Sequence, residues 1–116
     1  MSQILFVMSR SPGSINAQEG FDALLMGSAF ATCSVVFLGT GLFQLVDGQD
    51  AEPLGGKNFS HGFGALNDYG VSEIYCNKRE LDRADLAIQD LSVPVRLLDD
   101  DEVNALFNDH QMILSF

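Results

Sequence analysis

The chain has 116 residues, a net charge of −10 from 16 acidic and 6 basic side chains, and an apolar fraction of 47%. That length holds one domain rather than two, and the acidity excludes unaided binding to a phosphate backbone, which needs Lys and Arg to displace counterions. No apolar run approaches the roughly 18 residues of a membrane span, and no basic leader precedes the first apolar run, so the expected setting is the cytoplasm.

Ile4–Met8 is an unbroken apolar run, as suits a strand covered on both faces. Ser9–Ser14 ends it, and Ser14 or Asn16 is placed to cap a helix reaching about Ala31, with Glu19 near its positive end. Phe21, Leu24, Leu25, Ser28 and Ala29 share one face of that helix, while Ala23, Met26, Phe30 and Ala31 lie elsewhere around it. A helix apolar on several sides is expected to be covered on several sides, by the sheet and by a neighbouring chain. Ser34–Leu38 predicts a second buried strand, ended by Gly39-Thr40-Gly41, and Leu42–Val46 a short helical turn closed by Asp47–Asp50. The Gly-rich stretch Ala51–Gly64 reads as a long loop, and Phe63–Tyr69 as a helix stopped by Gly70.

Val71–Cys76 predicts the third strand, and Asn77 caps a short helix through Leu81 and Ala84. Val93–Leu98 predicts the fourth, where Pro94 suits an edge or a strand entry. The acidic block Asp99–Glu102 opens a helix over Val103–Phe107; at the positive end of its dipole, capping is expected rather than metal binding. Met112–Leu114 is the last strand. Strands alternating with helices predict a single α/β domain over residues 1–116. It has three layers, a mostly parallel five-stranded sheet and a flavodoxin-like topology.

Ligands in such sheets bind beyond the carboxyl ends of the strands. The Ser9–Ser14 loop offers small residues and a Gly that suit either a phosphate or flavin cradle or a plain Pro-Gly turn into a helix cap. The absence of Trp and the negative charge favour the turn. Cys76 ends the third strand just before a helix, with Lys78 and Arg79 in reach, an arrangement that lowers a thiol pKa and suits a persulfide carrier. A buried Cys packing as a small hydrophobe fits the same position. Cys33, at the other end of the sheet, reads as structural. The two cysteines fit neither a zinc spacing nor a redox pair. His61 and His110 lack partners at ligand spacing and are assigned exposed or capping roles. The apolar surplus of so small a chain predicts a partner surface on the first helix and the following turn, at Phe21, Leu25, Leu42, Phe43 and Leu45.

Four segments together carry a resemblance. They are the Ser9–Ser14 turn; Glu19-Gly20-Phe21-Asp22-Ala23-Leu24-Leu25; Val36-Phe37-Leu38-Gly39-Thr40-Gly41-Leu42-Phe43-Gln44-Leu45 with Gly48-Gln49; and Ile113-Leu114-Ser115-Phe116. Spanning nearly the whole chain, they resemble the DsrE/DsrF-like sulfur-relay proteins, and within them the TusC/DsrF branch. The resemblance implies a cytoplasmic subunit of a hetero-oligomer of three related chains, with partners of TusB/DsrH and TusD/DsrE type. Such complexes pass persulfide sulfur to an acceptor of TusE/DsrC type, towards 2-thiouridine at the tRNA wobble position or into sulfur oxidation. It implies no cofactor and no direct nucleic-acid contact. The sulfur-carrying cysteine belongs in that family chiefly to the TusD/DsrE-type subunit, at the end of the third strand, and the TusC/DsrF-type chain is a structural partner. Cys76 stands in the corresponding place, with Tyr75 and Asn77-Lys78-Arg79 where that subunit has small flanking residues.

Overall fold

The computed structural model describes residues 3–10, 14–45, 70–71, 73–91 and 94–116. Strand β1 (Gln3–Met8) leads through a turn to helix α1 (Ile15–Ser28), strand β2 (Thr32–Phe37) and a 3₁₀ segment (Gly39–Leu45). Strand β3 (Glu73–Asn77), helix α2 (Lys78–Arg83), a 3₁₀ turn (Ile88–Asp90), strand β4 (Arg96–Leu98), helix α3 (Asp100–Asn108) and strand β5 (Met112–Ser115) follow. The turn expected at Asp47–Asp50, the loop at Ala51–Gly64 and the helix at Phe63–Tyr69 lie outside the described residues.

The helix starts follow from local chemistry. Ser14 Oγ accepts the Ala17 N–H at 3.0 Å, and Asn77 Oδ1 accepts the Glu80 N–H at 2.9 Å. Asp99 and Glu102 form a reciprocal capping box at 2.8 and 3.1 Å. Each satisfies an N–H that an α-helix leaves unpaired at its first turn. Two of the four acidic residues of that block, Asp99 and Glu102, thus act as caps. α1 ends at Ser28, three residues short of the expected Ala31.

All five strands are parallel, in the order β4-β3-β2-β1-β5. The class is the expected α/β, but the order is not that of a flavodoxin, 2-1-3-4-5, in which β1 separates β2 from β3. Here β1 lies between β2 and β5, so the chain moves steadily outward from β1 to β4 and then returns. With right-handed crossovers, the outward path puts α1 and α2 on one face and the return puts α3 on the other.

Two cores result. Phe6, Met8, Val35, Phe37, Ile74 and Cys76 face α1, α2 and the first 3₁₀ segment, meeting Phe21, Leu24, Leu42, Leu45 and Leu81. The alternate strand residues Leu5, Val7, Val36 and Tyr75 meet Leu98 and Val103, with Leu106 and Phe107 partly covering them. At ~1.5–3 kcal/mol per fully buried large side chain, the first, larger core contributes most of the burial energy. Close approach relies on glycine: a Cβ on Gly41 would sit 1.9 Å from the Met8 carbonyl oxygen, so only glycine lets this segment press on the end of β1. A Cβ on Gly20 would be 2.7 Å from Phe116 Cβ.

Candidate functional site

Between β3 and β4 the following helices go to opposite faces, which opens a crevice at the carboxyl ends of those strands. A cleft of about 760 Å³ lies there, lined by Lys78, Arg79, Asp82 and Arg83 of α2 and by Asp99, Asp100 and Asp101 at the start of α3. A smaller hollow of about 310 Å³ adjoins it, between Leu38, Asn77, Glu80 and Val103. The cleft gathers three of the six basic residues of the chain, yet matches them with carboxylates. Arg79 pairs with Asp100 at 3.3 Å, and both side chains are more than half exposed, so the pair stabilises little.

A hydrogen-bonded chain fixes the floor. Asn77, nearly fully buried, donates from Nδ2 to Asp100 Oδ1 at 2.9 Å. The Gly39 N–H donates to Glu80 Oε2 at 2.5 Å. Gly39, with φ +54, takes a backbone shape that favours glycine. The ends of β2 and β3 and the starts of α2 and α3 are thus tied together around Cys76.

Cys76 itself is fully buried. It sits level with Phe37 of β2 and Leu97 of β4 and faces the core under α1 and α2. Burial pushes its thiol up to about 11, with the Glu80 carboxylate adding to the rise. The lowered pKa expected from Lys78, Arg79 and a helix start is therefore not found. Those cations line the cleft, and the charge felt by the sulfur is an anion. Cys33 is also buried; desolvation raises its thiol, which donates weakly to the Ala31 carbonyl at 3.7 Å.

Of the Ser9–Ser14 loop, Ser9 and Ser14 are already engaged. The Ser9 N–H donates to the Phe116 carbonyl at 2.8 Å, and Ser14 caps α1. Residues 11–13 lie outside the described set. His110 Nδ1 donates to the Leu106 carbonyl at 2.8 Å, a helix-end cap, and His61 lies outside the described residues. Among the described residues no three His, Cys, Asp or Glu converge as metal ligands, and no helix is long and apolar enough to cross a membrane.

The structure redistributes the expected partner surface. Phe21, Leu42 and Leu45 belong to the core, Leu25 is half-buried, and Phe43 alone of the five is exposed. The exposed apolar side chains on and beside α1 are Ile15, Met26 and Phe30. Ile15 and Met26 return to one side of the helix after about three turns, opposite Ala17, Gly20, Phe21 and Leu24. Glu19 and Asp22 lie on that same outer side, so its apolar residues are separate and helical spacing alone does not mark a continuous stripe. Gln44 belongs to a segment that carries the family resemblance, but nothing in the sequence marked it as buried. Wholly buried, it donates from Nε2 to the Arg10 carbonyl at 2.7 Å, and among the described residues Oε1 has no partner. It joins the first 3₁₀ segment to the turn after β1.

Comparison with known proteins agrees with this architecture. The chain is similar to a "Protein TusC homolog" of Vibrio vulnificus, 30% identical across the whole of both chains. It is 35% identical to a Pseudomonas aeruginosa protein of the same description, over 99% of each. It is 30% identical to the "Intracellular sulfur oxidation protein DsrF" of Allochromatium vinosum, covering all of this chain and 97% of that one. Among solved structures, the ychN protein of E. coli superposes over the full length of both chains with a TM-score of 0.85 at 17% identity, a likeness of fold. The profile of the DsrE/DsrF-like family matches residues 2–116, and the chain belongs to that family.

Proposed function

We propose that this chain is a structural subunit of a hetero-oligomeric persulfide-relay complex, serving 2-thiolation of the tRNA wobble uridine. End-to-end similarity to proteins described as TusC and DsrF supports the relay role. The observation that carries the structural, non-carrier assignment is the state of Cys76. A sulfur carrier needs an accessible thiolate, whereas this sulfur is buried and its thiol is held protonated. The sulfur is then carried by a partner of TusD/DsrE type, with a TusB/DsrH-type chain completing the assembly in the cytoplasm and a TusE/DsrC-type protein taking the sulfur onward. The exposed Ile15, Met26 and Phe30 on and beside α1, with Phe43, supply the contacts with these chains.

Co-expression with the two related small subunits tests the reading. The chain is expected to co-purify with both in fixed proportion, and Phe30→Asp is expected to weaken that association without unfolding the chain. Failure of the wild-type chain to bind either partner would overturn the assignment. Sulfur transfer by the complex is expected to survive Cys76→Ala. Its loss in a folded, assembled variant would instead make Cys76 the carrier.

A further inference from the structure

The two edges of the sheet are built differently. β4 is only three residues long, begins with the charged Arg96 and follows Pro94. Shortness, charge and proline are the means by which an edge strand resists pairing with another chain. β5, at four residues, is also short but has neither a charged side chain nor a proline. Met112, Ile113 and Leu114 are all exposed, on both faces of the sheet, and residues 111–116 have no charged side chain in a chain of net charge −10. Among the described residues nothing pairs with its outer side.

The backbone direction on β5 can be assigned. The Phe116 N–H donates to the Val7 carbonyl and the Phe116 carbonyl accepts the Ser9 N–H, both at 2.8 Å. Phe116 therefore turns its peptide groups towards β1. Alternation along the strand gives Leu114 and Met112 the same direction and points the N–H and C=O of Ile113 and Ser115 outward. Side chains follow the paired residues of β1. Leu114 shares the face of Phe6, onto which Phe116 stacks at 6.1 Å, and Ile113 shares the face of Leu5.

We propose that β5 is a self-association edge, pairing antiparallel with β5 of a second copy across a two-fold axis to make one continuous ten-stranded sheet. A row of open donors and acceptors is satisfied by an extended strand, which fixes the kind of occupant. With Leu114 on the axis, Ile113 lies opposite Ser115 of the second copy and the outward groups exchange four hydrogen bonds. Met112, Leu114 and Phe116 of each copy then share one face across the axis. The guarded β4 edge blocks head-to-tail growth, so the pairing that remains is the closed, two-fold one. The lack of charged side chains on residues 111–116 makes this a line along which two acidic molecules can approach. The contact is separate from the one proposed between α1 and related chains, and it is tested without them.

The test uses the purified full chain alone, by sedimentation over a range of concentrations and by amide hydrogen exchange. The expected result is a concentration-dependent species of twice the 12.6 kDa of one chain, strengthened by salt that screens mutual repulsion. The Ile113 and Ser115 amides are expected to gain protection as it forms, whereas those of Leu114 and Phe116 are protected throughout. Ile113→Pro removes an N–H that points away from β1 and has no partner among the described residues, and Leu114→Lys places charge on the axis; each is expected to yield monomer with unchanged circular dichroism. A wild-type chain that stays monomeric at every concentration would overturn the proposal. So would growth beyond two copies, or a dimer that survives both substitutions. Protection of Ile113 and Ser115 that arises only on adding a related subunit would show a partner's strand on this edge, and would also overturn it. None of these outcomes bears on whether the related chains bind through α1.

Discussion

Labelling of Cys76 by a soluble alkylating agent isolates the feature on which the structural role depends. The thiol is raised from 9.0 to about 11, which at neutral pH leaves about a hundredfold less thiolate than an ordinary cysteine. A more basic thiolate is intrinsically more nucleophilic, and a Brønsted slope near one half returns about tenfold of that loss. Ionisation alone thus slows alkylation about tenfold, and complete burial slows it further, since reagent must wait for the core beneath α1 and α2 to open. The native protein treated with iodoacetamide and digested for mass spectrometry is expected to show Cys76 labelled at least about tenfold more slowly than in urea. Glu80→Gln removes the smaller of the two causes, the carboxylate, and leaves desolvation, so Cys76 is expected to stay slow in that variant. Native labelling as fast as in urea, with unchanged circular dichroism, would refute the reasoning and point to an accessible sulfur carrier.

Gly41→Ala would drive a methyl group into the Met8 carbonyl, and a loss of at least ~1–3 kcal/mol is expected in urea denaturation; an unchanged midpoint would contradict the packing described. Asp99→Ala removes the capping box of α3 and is expected to cost ~1 kcal/mol by the same measurement. Tyr75 donates to Glu73 Oε2 at 2.7 Å and is pushed up to about 12, first by burial and then by that carboxylate. The folded chain therefore holds a proton that the unfolded chain loses above pH 10. Stability is complete below that pH and is expected to fall by roughly 2–3 kcal/mol between pH 10 and 12. Tyr75→Phe should flatten this part of a stability profile measured against pH.

Local chemistry was the legible part of this sequence. The unbroken run at Ile4–Met8, the caps at Ser14, Asn77 and Asp99, and the strand–helix alternation all report short-range physics, and the elements formed within a few residues of expectation. The strand order was not legible. Nothing in residues 112–115 states that they pair with β1 rather than with β4, because a short apolar strand carries no mark of its neighbour. Helical spacing separated Phe21 from Met26, but which of the two sides of α1 is covered was settled only once the sheet was in place. For the candidate site, the position of Cys76 at the end of β3 was readable. The direction of its side chain, into the core and away from Lys78 and Arg79, depends on strand register and was not.

The place of β1 in the sheet also bears on how the molecule is made. β1 is synthesised first, yet one of its two neighbours, β5, is synthesised last. During translation Phe6 waits for its stacking partner Phe116, and Gly20 of α1 waits for the same ring to close over it. Until β5 leaves the ribosome the middle of the sheet remains an edge, with Leu5 and Val7 offering unpaired peptide groups to any passing strand. The sheet is therefore complete only once residues 112–115 have paired with β1. A helper that shields extended apolar segments during synthesis is expected to raise the yield of this chain more than that of a protein whose first strand pairs only with its early neighbours.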